Sequence, residues 1–354
     1  MFEGNTGDPA TLGAQVAKLK DRFRLERIAV VGDRGMVTSA RIRDDLSPAG
    51  LDWVSALRAP QIKALMRQGA IQLSLFEHVD VAEISHPDYP DERLVCCYNP
   101  DLAAERARKR SELVSATETQ LDKIASTVAA GRLRDPAKIG VRVGRVLNRY
   151  KVAKHFDYHI AEGHFAYARK DEAIAAEASL DGIYVLRTSL PPAALDAPGV
   201  VSTYKALENV ERVFRFFNSE LDIRPIRHRL EDRVRAHVFL RMLSYYVAWH
   251  MTRSLAPILF VDHDPAAARA AQGSPVAPAR RSSSALAKAA TKRTEDGEAV
   301  HSFETLLDDL ATVCVNRIRP NDPDVPAFDI ITTPTTIQER AFQLLEVNHR
   351  LGYT

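Results

Sequence analysis

Two acidic residues stand where acids can do metal chemistry. Arg27-Ile28-Ala29-Val30-Val31-Gly32-Asp33-Arg34-Gly35 is a short apolar, β-branched run that stops at a carboxylate, with glycine close behind. That is how a buried strand ends, and it projects Asp33 from the carboxyl edge of a sheet. The second acid lies in YKALENVERVFRFFNSEL, residues 204 to 221. Wound as a helix, Leu207, Val210, Val213, Phe214, Phe217 and Leu221 share one apolar face, with Glu211 at its rim and Tyr204 and Arg215 on its polar side. An acid at a strand end and an acid on a helix packed against that sheet can share a divalent cation, which takes oxygen ligands. Their carboxylates are therefore expected to converge. Glu208 rivals Glu211, on the same polar side about 60° away.

These residues also carry a resemblance. VVGDRGM followed much later by Tyr-x6-Glu resembles the DDE-class insertion-sequence transposases, and within them the group with a Tyr-x2-Arg-x3-Glu-x6-Lys helix. Tyr204 and Glu211 match that helix, whereas Leu207 stands at its arginine position and Asn218 at its lysine position. The continuation VERVFRFFNSELDIRPIRHRLEDRVRAHVFL is similar as well. The likeness runs from about Phe2 to Phe260 and resumes weakly at TTPTTIQ.

The resemblance implies an α/β fold, a ribonuclease H-like mixed sheet flanked by helices and interrupted by a large α+β insertion before the catalytic helix. It implies DNA strand cleavage and strand transfer by a two-metal mechanism with Mg²⁺ or Mn²⁺. Asp33 would be the second acid and Glu211 the third, both catalytic and both metal ligands, with Arg34, Tyr204, Arg215 and Asn218 contacting DNA. The implied partner is double-stranded DNA, as transposon ends and target, bound by a homodimer at the cytoplasmic nucleoid. The family's first catalytic aspartate belongs upstream of GNTGDPATL, so the chain is expected to lack it. The enzyme would then be N-terminally truncated and inactive as it stands; the alternative is an inactive remnant that only binds DNA or interferes.

Composition narrows little. Among 354 residues, 48 Lys and Arg face 46 Asp and Glu, so the net charge of +2 leaves any DNA affinity to local patches. The apolar fraction of 45% supports a large core, and the length suggests about two domains. Cys96, Cys97 and Cys314 form neither metal spacing nor a disulfide framework, which suits a reducing compartment. The most apolar run, Met242 to Trp249, is far short of a membrane span, and no stretch reads as a signal peptide.

The elements that must position the acids follow in order. Residues 1–60 open the catalytic core, with a helix from Thr11 (Val16, Leu19 and Phe23 on its apolar face), a short helix from Thr38 to Leu46 and a strand from Asp52 to Leu57. Residues 61–200 are expected as the insertion. They hold strands at Arg93–Tyr98, Phe156–Ile160, Phe165–Ala168 and Gly182–Leu186, and long helices at Asp101–Ala129 and Asp135–Lys154. Residues 201–261 carry the catalytic helix and an apolar helix from Leu230 to Leu255 whose Tyr245, Tyr246 and Trp249 read as core. Residues 262–299 are Ala/Pro/Ser-rich and basic, expected as a disordered linker. Residues 300–354 read as a small helical appendage.

Basic residues gather at Arg106, Arg108, Lys109 and Arg110, and again at Arg142, Arg145, Arg149, Lys151 and Lys154. They read either as solvated helix faces or as a clamp on the DNA backbone. Asp8 before Pro9 reads as a helix cap and Asp181 as a turn residue, each in preference to a catalytic acid. His155, His159 and His164 lie close together without the spacing of a zinc site.

Overall fold

Strands that are distant in sequence lie side by side in the main sheet, and their order decides where the first acid stands. The structure is a computed structural model and describes residues 6–23, 25, 27–270, 272–294, 296–321, 324 and 326–348. Residues 1–5 of the expected core, and the side chains of Asp8 and Phe23, lie outside that description. The chain divides into two units: Phe2–Leu207 with Ser274–Ala277, and Glu208–Gly273 with Pro278–Thr354.

The first unit is built on five strands: β1 (Ala29–Val31), β2 (Asp52–Ala56), β3 (Val81–Ile84), β4 (Arg93–Tyr98) and β7 (Ile183–Thr188). Their order is β1-β2-β7-β4-β3. β1 and β2 run parallel, with Val31 opposite Val54, and the other neighbours are antiparallel. The sheet is therefore mixed. The connection from β1 to β2 is helical: α2 (Ser39–Arg41) continues as a π-helical turn over Ile42–Leu46. α1 (Asp8–Phe23) packs Leu12 and Val16 against Val37, Ile42, Leu46 and Trp53. α3 (Ala59–Arg67) buries Ile62 and Leu65 with Leu94, Cys96 and Val185 of the sheet. α7 (Ala197–Lys205) buries Val200 and Val201 against Val54, Val95 and Leu186.

Between β4 and β7 the chain leaves the sheet. α4 (Pro100–Ala129) starts at Asn99, whose side chain accepts from Leu102 N, and has Pro100 in its first turn, where no amide bond is lost. α5 (Pro136–Tyr150) is capped the same way by Asp135 and closes on Lys151 in the left-handed region. A hairpin follows, β5 (Phe156–Ala161) with β6 (His164–Arg169), and then α6 (Asp171–Ala178). This excursion has its own core, in which Val114, Leu121, Ile124 and Val128 meet Ile139, Val143, Leu147, Phe156 and Phe165. Of the interval 61–200, then, β3, β4 and β7 belong to the main sheet and only residues 100–181 stand off it.

The second unit holds α8 (Leu207–Ser219) from its second residue on, α9 (Glu231–Ser254), α10 (Pro265–Ala270), α11 (Ser283–Thr291), α12 (Phe303–Leu310), the hairpin β8 (Val315–Ile318) with β9 (Phe328–Ile331), and α13 (Thr336–Leu344). Its core joins Leu255, Ile258 and Leu259, just past α9, to Leu306 of α12 and Ala341 of α13. Two expectations are corrected here. The helix expected from Tyr204 to Leu221 is interrupted: Ala206 caps α7, its amide shared between Ser202 O and Tyr204 O, and α8 begins at the next residue. The long apolar helix is not core, because no residue of α9 is fully buried and Tyr246 and Trp249 are exposed. An apolar pattern fixes what a helix must hide, not which neighbour hides it.

The Ala/Pro/Ser-rich stretch also contains structure. Val276 is buried against the sheet of the first unit, with its carbonyl accepting from Asn99 Nδ2. Ser282 caps α11 and accepts from Ala285 N. On that helix Lys288 is 5% exposed and donates to the carbonyls of Ala256, Leu259 and Val261.

Candidate active site

Asp33 stands two residues beyond the end of β1, in a turn that its own side chain builds. Oδ1 accepts from Gly35 N at 3.0 Å and from Met36 N at 2.8 Å. Its carbonyl accepts from Val37 N, and Ser55 Oγ of β2 reaches the same carbonyl at 3.3 Å. Glycine before it is a packing requirement: a Cβ on Gly32 would lie 2.6 Å from Val37 Cγ2. The carboxylate is thus fixed through one oxygen and exposed, while Oδ2 accepts nothing among the described residues. An anchored acid with a free oxygen fits a hard cation as a single ligand.

Beside it, a cavity of about 530 Å³ is lined by Arg34, Thr38, Ser39, Arg58, Gln61 and Arg187. Two of its lining residues are joined, Arg58 donating to Arg34 O at 3.3 Å. Arg187 comes from β7 and is nearly buried, with its Nε 2.5 Å from Glu92 Oε2, its second nitrogen on Glu92 Oε1, and Nη1 2.9 Å from Ser39 Oγ. The Tyr89 ring lies 5.3 Å from its guanidinium carbon. Burial pushes the Tyr89 phenol up, against the opposing pull of Arg187. Sequence reasoning missed Arg187 and Glu92. The signal was available, since DGIYVLRTS carries an arginine inside an otherwise apolar strand, and a charge there must find a partner.

The other expected residues lie on α7 and α8. Tyr204 belongs to the first unit, on α7, half-buried beside Val200 and Leu186. Glu211, Arg215 and Asn218 belong to the second unit, on α8, and all three are exposed. Glu211 is exposed and has no hydrogen-bond or ion-pair partner among the described residues. Glu208, the rival acid, pairs with Arg212 at 3.5 Å. The apolar face of α8 is uncovered at Val210 and Phe214, 50% and 62% exposed, while Phe216 and Phe217 meet Tyr245 of α9 edge-on at 5.4 Å.

Other candidates have structural partners. Asp181 forms a two-pronged pair with Arg110, both nearly buried. Asp8 is the first residue of α1, and its side chain, with the capping role expected of it, lies outside the described residues. His155 is buried with Nε2 2.8 Å from Glu177, whereas His159 and His164 face each other across the hairpin with ring centres 5.7 Å apart. Among the described residues no group of three or more His, Cys, Asp or Glu is arranged to hold a metal ion, and no helix is long and apolar enough to cross a membrane.

Residues 1–247 match the family model of the transposase DDE domain, a stretch that contains both Asp33 and Glu211. No curated protein and no solved structure matches the chain.

Proposed function

The chain belongs to the family of transposases built on a DDE domain, and we propose that it cleaves and rejoins DNA at the ends of a bacterial insertion sequence, with Asp33 and Glu211 as catalytic, metal-holding carboxylates. The observation that carries this reading is the posture of Asp33, anchored through Oδ1, open at Oδ2 and next to an arginine-lined cavity. Mg²⁺ or Mn²⁺ bound by such acids supplies Lewis acidity and lowers the pKa of a bound water. The chain's own part is to hold and orient. The Asp33 turn keeps one carboxylate from rotating, Arg34 and Arg58 offset the charge of an incoming phosphodiester, and Arg215, Asn218 and Tyr204 contact the DNA end. The five-stranded sheet is read as the ribonuclease H-like core and residues 100–181 as its insertion. A homodimer fits the need to hold two DNA ends at once.

A second reading, a DNA-binding relative without cleavage activity, is favoured by Leu207 and Asn218, which stand where the resembling group has Arg and Lys. One assay separates the two. The full chain is incubated with duplex DNA carrying the element's terminal repeats, with Mg²⁺ or Mn²⁺, beside Asp33→Asn and Glu211→Gln. Strand cleavage by the parent chain, lost in both variants, supports the enzyme. Equal inactivity of all three with DNA binding retained supports the second reading, and cleavage that survives both substitutions refutes the assignment of the acids.

A further inference from the structure

The two basic clusters of the excursion are not equivalent. On α4 the cations are spent on neighbours. Arg108 pairs with Glu112 at 2.7 Å, Lys109 with Glu105 at 2.5 Å, Arg110 with Asp181, and Arg106 reaches Leu180 O at 3.5 Å. α5 is different in kind. Its sequence, PAKIGVRVGRVLNRY, contains no acidic residue, and its one neighbouring acid, Asp135, is occupied in capping Ala137 N.

Lys138, Arg142, Arg145 and Arg149 follow one another at intervals of four, three and four. At 100° per residue they fall within an arc of about 60°. All four are exposed, and among the described residues none has a carboxylate within ion-pair distance. Arg149 rests instead against the Tyr150 ring, 5.5 Å away. The opposite face carries Ile139, Val143 and Leu147 into the excursion's core, so the helix cannot roll to hide the stripe. On one side the stripe borders Val141, 55% exposed and about 40° from Arg145 around the helix.

We propose that this face of α5 is a docking surface for the phosphate backbone of duplex DNA, a proposal that rests on the transposase reading for the identity of the polyanion. The stripe spans about 16 Å at 1.5 Å per residue. A duplex offers one phosphate charge per about 1.7 Å of its axis, so four cations find partners along that length without bending it. The stripe presents no free aromatic ring on which a base could stack. It therefore grips backbone without reading sequence, and it suits duplex better than single strands. Unpaired arginines are the ones that release counterions on binding; the paired cations of α4 have carboxylates as competitors.

The test is the salt dependence of binding by the full chain to a labelled 30-bp duplex of arbitrary sequence, read by anisotropy between 50 and 200 mM KCl. Each phosphate contact contributes about 0.9 to the log–log slope, so four account for a roughly 150-fold fall in affinity over that range. Arg142→Gln/Arg145→Gln is expected to lower the slope by about 1.8, and adding Lys138→Gln and Arg149→Gln by about 3.6. Arg108→Gln/Lys109→Gln removes as much charge as the first pair but from paired sites, and is expected to change the slope by far less. A slope unchanged in the fourfold variant overturns the docking surface and leaves the transposase reading to the cleavage assay. A slope that the α4 pair lowers as much as the α5 pair makes the effect one of net charge and also overturns it. A parent chain that binds no duplex at 50 mM overturns both readings. If the fourfold variant instead loses affinity only for phosphatidylglycerol vesicles, the surface belongs to a membrane and the proposal fails.

Discussion

Removing one half of the Arg187–Glu92 pair is a severe test of how the arginine-lined cavity is held together. Their side chains are 7% and 9% exposed, so each ion has exchanged its water for the other. Glu92→Gln keeps the volume and removes the charge, leaving a buried guanidinium with Ser39 Oγ and the Tyr89 ring as its remaining company. Breaking a buried pair on one side costs about 3–5 kcal/mol, a shift of two to more than three decades in the folding equilibrium. Replacing both partners with apolar residues, as in Arg187→Met/Glu92→Leu, should recover most of that loss, because the cost lies in the abandoned charge and not in the missing attraction. The exposed pair Arg108–Glu112 is the control, and its disruption should cost about 0.3–0.5 kcal/mol. In a Trp249→Phe background Trp53 is the remaining tryptophan of two, so fluorescence during urea unfolding follows the first unit alone. A loss below about 1 kcal/mol for Glu92→Gln, or a double variant no better than the single, would refute the reasoning.

Three further outcomes are expected. Burial depresses the pKa of His155, assisted by Lys154 and Arg110 and opposed by Glu177, so the folded protein prefers it neutral. Its contribution to stability is complete above the unfolded value of about 6.5 and is lost as pH falls below it, a dependence that His155→Gln should flatten in urea titrations at pH 5 to 7.5. Burial pushes the thiols of Cys96 and Cys97 up to about 12, whereas Cys314 is exposed. Ellman's reagent should therefore titrate one thiol quickly in the native chain and all three in urea. Gly182 has φ +75°, and a Cβ there would lie 2.6 Å from Asn99 O, so Gly182→Ala should cost about 2–4 kcal/mol from backbone strain and overlap together. Gly50, at φ +63° with open space around it, should lose only about 1–2 kcal/mol to the same change in a parallel unfolding series.

Asp33 was legible because its signals are local. An apolar β-branched run, an acid and a near glycine describe a strand end without reference to the rest of the chain, and Asp33 stands two residues past such an end, although β1 is a three-residue edge strand with no buried residue and not the buried strand expected. The caps at Asn99 and Asp135, with proline behind each, are local signals too, yet the helices were expected from Asp101 and from Asp135 itself, so the cap at Asn99 went unread. The charge of Arg187 stood out in its apolar strand, but its partner did not, because Glu92 lies 95 positions away and spacing does not reveal it. Ala206 was equally silent: alanine favours helix, and the chain nevertheless ends one there and starts another. Composition read 262–299 as a disordered Ala/Pro/Ser-rich linker, but the burial of Val276 against the sheet depends on neighbours that only tertiary structure brings together.

The way the excursion joins the sheet has an energetic consequence. Tyr98 sits opposite Ile183, and Asn99 N donates to Gly182 O at 2.9 Å, so departure and return are adjacent rungs of one ladder. Topologically β4 and β7 are a plain hairpin whose turn has swollen to roughly 80 residues. Holding the ends of so long a loop together costs only about 2.7 kcal/mol more than closing a four-residue turn, since the entropy grows as the logarithm of length. A helical pair with a core of its own readily offsets that. The length of this cassette, and whatever surface it displays, is therefore only weakly coupled in energy to β1 and to the turn that holds Asp33.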